Sequence, residues 1–263
     1  MNEQAHSKTF TPDPFSREYE FTDGDFCRLR DMIGNYSGIA LSDNKRDLVY
    51  GRLTRRLRAL ELSRFSDYCG VLETDSQELE HFVNALTTNL TSFFREAHHF
   101  EYLSNEIIPG LMERLRAGQR VRIWSAGCST GEEPYSIAMT LMETVPDIGR
   151  HDLKILATDL DTSVVSHAAA GIYADTRIEG LSDQQRRRWF MKGSGQHAGY
   201  VRATDALRNL ITFRPLNLMD AWPMKGLFDV VFCRNVVIYF DKPTQRILFD
   251  RLANQLCPDS HLF

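Results

Sequence analysis

The chain has 263 residues, enough to bury a sizeable core in one large domain or two smaller ones. Its 43% hydrophobic and 25% charged residues are ordinary for a globular protein, and a formal net charge of −4 excludes a global pull toward nucleic acid or an anionic membrane. The five cysteines, Cys27, Cys69, Cys128, Cys233 and Cys257, are odd in number and never spaced C-x-x-C, which argues against a disulfide framework and a metal site and favours a reducing, cytoplasmic setting.

Residues 1–20 are polar, carry Pro12 and Pro14 and lack an apolar core, so they read as a flexible tail and not as a signal peptide. Thr22 or Asp23 is placed to cap a helix through Phe26, Leu29, Met32 and Ile33, with Gly34 and Gly38 interrupting it. From about Ser42 to Leu62, Leu48, Val49, Leu53, Leu57 and Leu60 form one apolar stripe. The opposite face carries Lys45, Arg46, Arg52, Arg55, Arg56 and Arg58, with few acids between them. Such a run is either a solvated face or, on an acidic protein, a surface for an anionic partner. Helical patterning continues over 65–72 and 79–86, and no strand signal precedes Val121. Residues 21–88 therefore read as a small helical domain.

A linker and helix occupy 89–120. Thr87, Thr88, Asn89, Thr91 and Ser92 favour local hydrogen bonds over helix. Phe93 and Phe94 demand burial, and the adjacent Arg95 is then either held at a domain seam or part of a plain capped linker. A helix follows over about 98–115, disturbed by Pro109 and Gly110.

Residues 121–137 read V-R-I-W-S-A-G-C-S-T-G-E-E-P-Y-S-I: an apolar strand, a turn of small residues around Gly127 and Gly131, then a helix start. That is the first unit of a doubly wound α/β domain, which holds a nucleotide-like ligand at the carboxyl end of its sheet. A glycine at Gly127 lets a ligand approach the backbone. Phosphate loops present bare N–H groups to an anion. Here Glu132 and Glu133 follow the last glycine, either as ordinary acids of a first turn or as partners of a cationic, donor-rich ligand such as S-adenosylmethionine (AdoMet). The strand L-K-I-L-A-T-D-L ends at Asp159, where this fold binds ribose hydroxyls, and Asp161 is placed to cap the next helix. The separation from Gly127 to Asp159 exceeds the roughly 20 residues of a dinucleotide fingerprint, a mismatch for a dehydrogenase.

The βαβ rhythm breaks over about 171–210, where glycines and short alternating pieces suggest an inserted antiparallel subdomain with a hairpin over 191–201. It is either a cover on the sheet or an exposed edge for an extended peptide. The main sheet resumes at Ile211 and ends near Asn217 and Leu218. The strand F-D-V-V-F-C-R-N then brings Arg234 and Asn235, with Tyr239 just beyond, to where ligand sites form in open α/β sheets. The apolar stretch 227–233 is too short to cross a bilayer and contains Asp229, so no membrane insertion is expected.

Five blocks, in order, carry a resemblance over nearly the whole chain: K-R-D-x-V-Y-x-R-L-x-R-R-L-R, A-L-T-T-N-L-T-S-F-F-R-E-A-H-H-F, W-S-A-G-C-S-T-G-E-E-P-Y-S, A-T-D-L-D and F-C-R-N-V-x-I-Y-F-D. Together they resemble the CheR family, the chemotaxis receptor protein-glutamate O-methyltransferases. The resemblance implies a Rossmann-like methyltransferase domain over 121–263, AdoMet as cofactor, S-adenosylhomocysteine as product, and γ-glutamyl methyl esters on a chemoreceptor's cytoplasmic domain. By matching position it implies that Asn89, Thr91, Arg95, Gly127, Glu133, Asp159, Asn217, Leu218, Arg234 and Asn235 contact the cofactor. Arg95, Arg234 and Tyr239 would serve the transferable methyl and the substrate carboxylate. Arg52, Arg55, Arg56 and Arg58 would face the acidic methylation helices of the receptor. Lys192, Gly193, Gly195, Gly199 and Arg202 would hold a receptor C-terminal peptide, although Lys192 stands where a tethering member has arginine. A monomer without a nucleic-acid partner is expected. No N-P-P-Y or D-P-P-Y stretch for a base-modifying enzyme occurs. The other open reading is a receptor-docking module that senses AdoMet without turning it over. The sequence stops at Phe263, where the family would enter a final strand and hairpin.

Overall fold

The computed structural model describes residues 17–145 and 147–263; most of the tail expected over 1–20 lies outside them. Four helices come first: α1 (Asp23–Ser37), α2 (Arg46–Ala59), α3 (Phe65–Leu72) and α4 (Ser76–Leu86). Thr22, and not Asp23, caps α1: its hydroxyl accepts the Asp25 N–H at 3.1 Å while the Asp25 carboxylate accepts the Thr22 N–H at 2.9 Å. Gly34 stays inside the helix, where a glycine lowers stability by about 1 kcal/mol without breaking the ladder. Gly38 ends it in the left-handed conformation, at φ 75°. The apolar stripe of α2 is observed, with Val49, Leu53 and Leu57 buried against Phe65, Tyr68, Phe82 and Val83.

Beyond the seam at 87–97, α5 (His98–Tyr102) passes through a π turn over Leu103–Ile107 into α6 (Ile108–Arg116). Pro109 lacks the N–H that would continue the α ladder, and the wider turn sits directly before it. The α/β domain then runs β1 (Val121–Ala126), α7 (Glu132–Thr144), β2 (Leu153–Asp159) and α8 (Thr162–Ala170). The insertion follows as β3 (Ile172–Ala174), α9 (Asp183–Trp189), β4 (Phe190–Lys192), β5 (Tyr200–Ala203) and α10 (Asp205–Arg208). The sheet closes with β6 (Ile211–Pro215), β7 (Phe228–Phe232), α11 (Lys242–Ala253) and β8 (Leu256–Leu262). The main sheet is parallel throughout, in the order β6-β2-β1-β7-β8. Both of its faces are covered, as a parallel sheet requires. Val121 and Ile123 of β1 join the larger core with α7, while Trp124 and Ala126 face α11 through Leu248 and Leu252. The insertion forms its own antiparallel sheet, β3-β5-β4. None of the described helices is long and apolar enough to cross a membrane.

The chain runs outward from β1 through β2 to β6, then returns to the other side of β1 as β7. The switch point therefore lies between the carboxyl ends of β1 and β7, where open α/β sheets bind ligands.

Much of the cationic stripe on α2 is used inside the helical domain. Arg52 donates to the Leu86 and Thr87 carbonyls at 2.8 and 2.7 Å, closing the carboxyl end of α4. Arg56 forks onto the Glu78 carboxylate at 2.9 and 2.5 Å, and Arg58 pairs with Glu18. Arg55 is exposed and makes no side-chain hydrogen bond or ion pair among the described residues. Glu78 is only 3% exposed and also accepts the Tyr68 hydroxyl at 2.8 Å. Arg56→Ala should therefore lower unfolding stability by about 3 kcal/mol by stranding a buried carboxylate, and adding Glu78→Gln should recover part of the loss. Urea denaturation of both variants measures this.

Candidate active site

A cavity of about 400 Å³ opens at the carboxyl ends of β1, β2 and β7. Its floor comes from the loops after those strands, its wall from the 87–95 seam, and its roof from the helical domain at Ser37, Ile39–Leu41, Lys45 and Leu48. Asn89, Thr91, Arg95, Gly127, Glu133, Asp159, Asn217, Leu218, Arg234 and Asn235 all line it, as does Tyr239. The residues expected on the inserted sheet, Lys192, Gly193, Gly195, Gly199 and Arg202, do not.

The floor is built by close backbone approach. Gly127 lies at φ +89°, and a Cβ there would stand 2.2 Å from a methyl of Val236. The crossing of the β1 and β7 loops thus also requires the glycine, which lines the cavity. Phe94, Glu96, Ser129 and Asn235 all hold positive φ, between 49° and 59°, on or beside the site. Strain of this kind persists only where surrounding contacts impose it.

Two carboxylates face the cavity with their orientation fixed. The Asp159 oxygens accept the Ser129 N–H at 2.8 Å and the Asp161 N–H at 3.0 Å. Burial pushes its carboxyl above the usual range, against the pull of those backbone donors. Glu133, in the first turn of α7, accepts the Ser125 hydroxyl at 2.8 Å and Arg234 at 3.1 Å. Burial again pushes the carboxyl up, and Ser125 and Arg234 oppose it. Both carboxylates retain free lone pairs, which suit an ammonium and hydroxyl donors. Glu132 points elsewhere: it is fully buried, accepts the Thr130 hydroxyl at 2.6 Å and pairs with Arg177.

Arg234 is already engaged. One terminal nitrogen is on Glu133, the other lies 3.1 Å from a Glu96 oxygen and donates to the Arg95 carbonyl. The guanidinium stacks over Phe100 with 5.4 Å to the ring centre. These contacts tie the seam to α7 and occupy both terminal nitrogens of Arg234. Arg95 is more open. It donates once, to the Leu90 carbonyl at 2.9 Å, and its side chain is 37% exposed on the cavity wall. Tyr239 is half-buried, with its hydroxyl 3.5 Å from the Thr88 carbonyl. Asn89 donates to Asp161 at 2.8 Å, and Asp161 caps α8 through the Ser163 and Val164 N–H groups, as its position after β2 predicts. The Asn217 amide donates to the Tyr36 carbonyl at 2.7 Å. Burial pushes the thiol of Cys233 up to about 12 and that of Cys128 well above its usual value, so neither is a thiolate nucleophile. No cluster that could hold a metal ion occurs among the described residues.

On the inserted sheet, β4 is an edge strand, and Arg202 lies on β5 in register with Ile172 and Met191, both exposed. Gly193 donates its N–H to the Tyr200 carbonyl at 2.8 Å, and a Cβ there would meet the His197 carbonyl at 2.2 Å. The sequence reading did not single out the roles of Glu96 and Arg177. Glu96 stands inside the R-E-A-H-H-F block beside Arg95, whereas no local signal marks Arg177.

The model for the CheR methyltransferase SAM binding domain matches residues 89–263, and that for the CheR methyltransferase all-alpha domain matches residues 24–87. This chain belongs to the CheR family. It is 47% identical over 246 residues to the chemotaxis protein methyltransferase of Escherichia coli, covering 92% of this chain and 83% of that one. It is 45% identical to a probable chemotaxis protein methyltransferase of Rhizobium etli, covering 88% and 87%, and 44% identical to chemotaxis protein methyltransferase 2 of Pseudomonas aeruginosa, covering 97% and 90%. The CheR assignment makes AdoMet the ligand of the cavity's domain, and the donor set fits it: two carboxylates for an ammonium and hydroxyls, and no phosphate-loop lysine.

The raised Glu133 carboxyl fixes a sign. Its folded pKa exceeds its unfolded value, so the folded state binds the proton more tightly and stability falls as pH rises through that window. Glu133→Gln should therefore gain stability relative to the parent as pH rises from about 4.3 upward, the reference value for glutamate. Unfolding free energies of both proteins without ligand, measured across that range, test this.

Proposed function

We propose that this protein transfers the methyl group of AdoMet to glutamate side chains on the cytoplasmic helices of chemoreceptors, forming γ-glutamyl methyl esters that set adaptation. The observation that carries this reading is the cavity at the β1–β7 switch point, with Glu133 and Asp159 on its floor and Arg95 on the opposite wall. When bound, AdoMet supplies an electrophilic methyl on a sulfonium that departs as a neutral thioether, so a carboxylate displaces it with no proton to move.

Glutamate, with a reference pKa near 4.3, is already ionised at neutral pH, so no residue of the chain needs to act as a base. The site's work is alignment and exclusion of water. Glu133 and Asp159 hold the ammonium and ribose ends, and Asn217 and Leu218 line the adenosine end. Arg95 keeps donors free for the incoming carboxylate, and Tyr239 adds one hydrogen bond. Arg234 holds Glu133 in place. Arg55, with Arg58 after exchange of its exposed Glu18 pair, meets the acidic receptor helices. A receptor C-terminal peptide adds to the β4 edge near Lys192, Gly193, Gly195, Gly199 and Arg202. The five cysteines are free, which suits a monomer working in the cytoplasm.

The test is methyl transfer from labelled AdoMet to receptor-bearing membranes, with label released as methanol by base. Arg95→Ala should lower turnover by about a hundredfold while AdoMet affinity changes by no more than about threefold. Unchanged turnover would remove Arg95 from the alignment step.

A further inference from the structure

The inserted subdomain reaches the wall of the cavity through Arg177. Arg177 lies in the turn after β3, 86 residues from Thr91 in sequence. It donates to the Thr91 carbonyl at 2.8 Å and pairs with the fully buried Glu132 carboxylate. Two further contacts run the same way. The Tyr173 hydroxyl of β3 donates to the Thr130 carbonyl at 2.7 Å, on the loop between β1 and α7. Phe93 packs edge-on against Tyr173 and Phe190, with ring centres 5.2 and 5.4 Å apart. Thr91 itself lines the cavity, in a segment without regular secondary structure that side-chain contacts hold in place.

We infer that Arg177 is a positioning residue for cofactor binding: it straps the Thr91 segment to the first turn of α7 and so makes the inserted subdomain part of the cofactor site. Glu132 has a plain reason to be buried in this arrangement. It anchors a guanidinium whose remaining donor reaches a backbone carbonyl on the far side of the seam. Both bonds leave one terminal nitrogen of Arg177, whose two N–H groups lie in the guanidinium plane and meet the two acceptors in fixed directions; a lysine ammonium, with rotating donors on a flexible stem, satisfies the carboxylate without fixing the carbonyl. The strap is independent of Arg234, which joins α7 to the same seam from the β7 side. Arg177 at Thr91 and Arg234 at Arg95 thus hold the seam alongside the Asp161 contacts at Thr87 and Asn89.

A merely structural Arg177 would act by neutralising Glu132, and the two roles separate in a double variant. This inference rests on AdoMet occupying the cavity, so the parent is measured first. Calorimetric AdoMet affinity and melting temperature are read for the parent, Arg177→Ala, Arg177→Lys and Arg177→Ala/Glu132→Gln. Arg177→Ala should both melt lower and bind AdoMet about tenfold more weakly, the scale of a lost charge-assisted hydrogen bond. In the double variant the melting temperature should recover, because the stranded charge is gone, while the weak affinity remains. Arg177→Lys should also keep its melting temperature and bind weakly. Recovery of affinity in the double variant, or an Arg177→Ala protein that binds like the parent, would reduce Arg177 to charge compensation and overturn the inference. A parent that fails to bind AdoMet would overturn the cofactor reading itself, and with it this one.

Discussion

The site depends on one ionic chain centred on a buried guanidinium, Glu133–Arg234–Glu96. Arg234 is 9% exposed, so its charge has little water to solvate it and must be met by protein. Glu133 from α7 and Glu96 from the seam supply two carboxylates, each 3.1 Å away, and Phe100 supplies an aromatic face. In return the guanidinium sets where both carboxylates lie. A buried pair of this kind is weak evidence for stability, because desolvation offsets much of the attraction. Its value is geometric: the groups have one arrangement in which every charge is met, and that arrangement puts Glu133 on the cavity floor.

The helical domain is joined to the α/β domain by polar contacts, with Ile39 and Leu160 adding apolar packing across the seam. Asp161 accepts from both Thr87 and Asn89 while capping α8, so one carboxylate ends a helix and closes the seam. On the roof, the Asn217 amide meets the Tyr36 carbonyl, and the Ala40 N–H donates to the Tyr239 carbonyl at 2.8 Å. These bonds suspend the helical domain above the cavity.

That geometry changes the meaning of the basic helix. A guanidinium on an exposed helix face has no reason to remain solvated when a neighbouring helix ends beside it. Arg52 closes the carbonyls of α4, and Arg56 meets a carboxylate that α4 buries. Within the arginines of α2, Arg55 and Arg58 are left to face outward, and Arg58 shares an exposed partner. The outward positive charge of α2 is then local, on a chain whose overall charge is negative.

The helical first domain, the parallel sheet begun by the Val121–Ile137 unit, the inserted antiparallel piece and the place of Asp159 and Glu133 were all readable in the sequence. Each is written in local periodicity, in glycine placement or in position along a βα unit, and those are properties of neighbouring residues. The family blocks added which polar residues converge, because they preserve whole local constellations at once. Other features belong to tertiary structure alone. Gly127 is a glycine because Val236, more than a hundred residues on, would meet its Cβ. Whether Arg234 grips a substrate or a neighbour, which arginines of α2 stay free, and that Arg177 reaches Thr91 were decided by pairings across sequence separations of 22 to 139 residues. A chain written in residues states which groups carry charge; only the folded arrangement decides which of them must neutralise one another before any is left for a ligand.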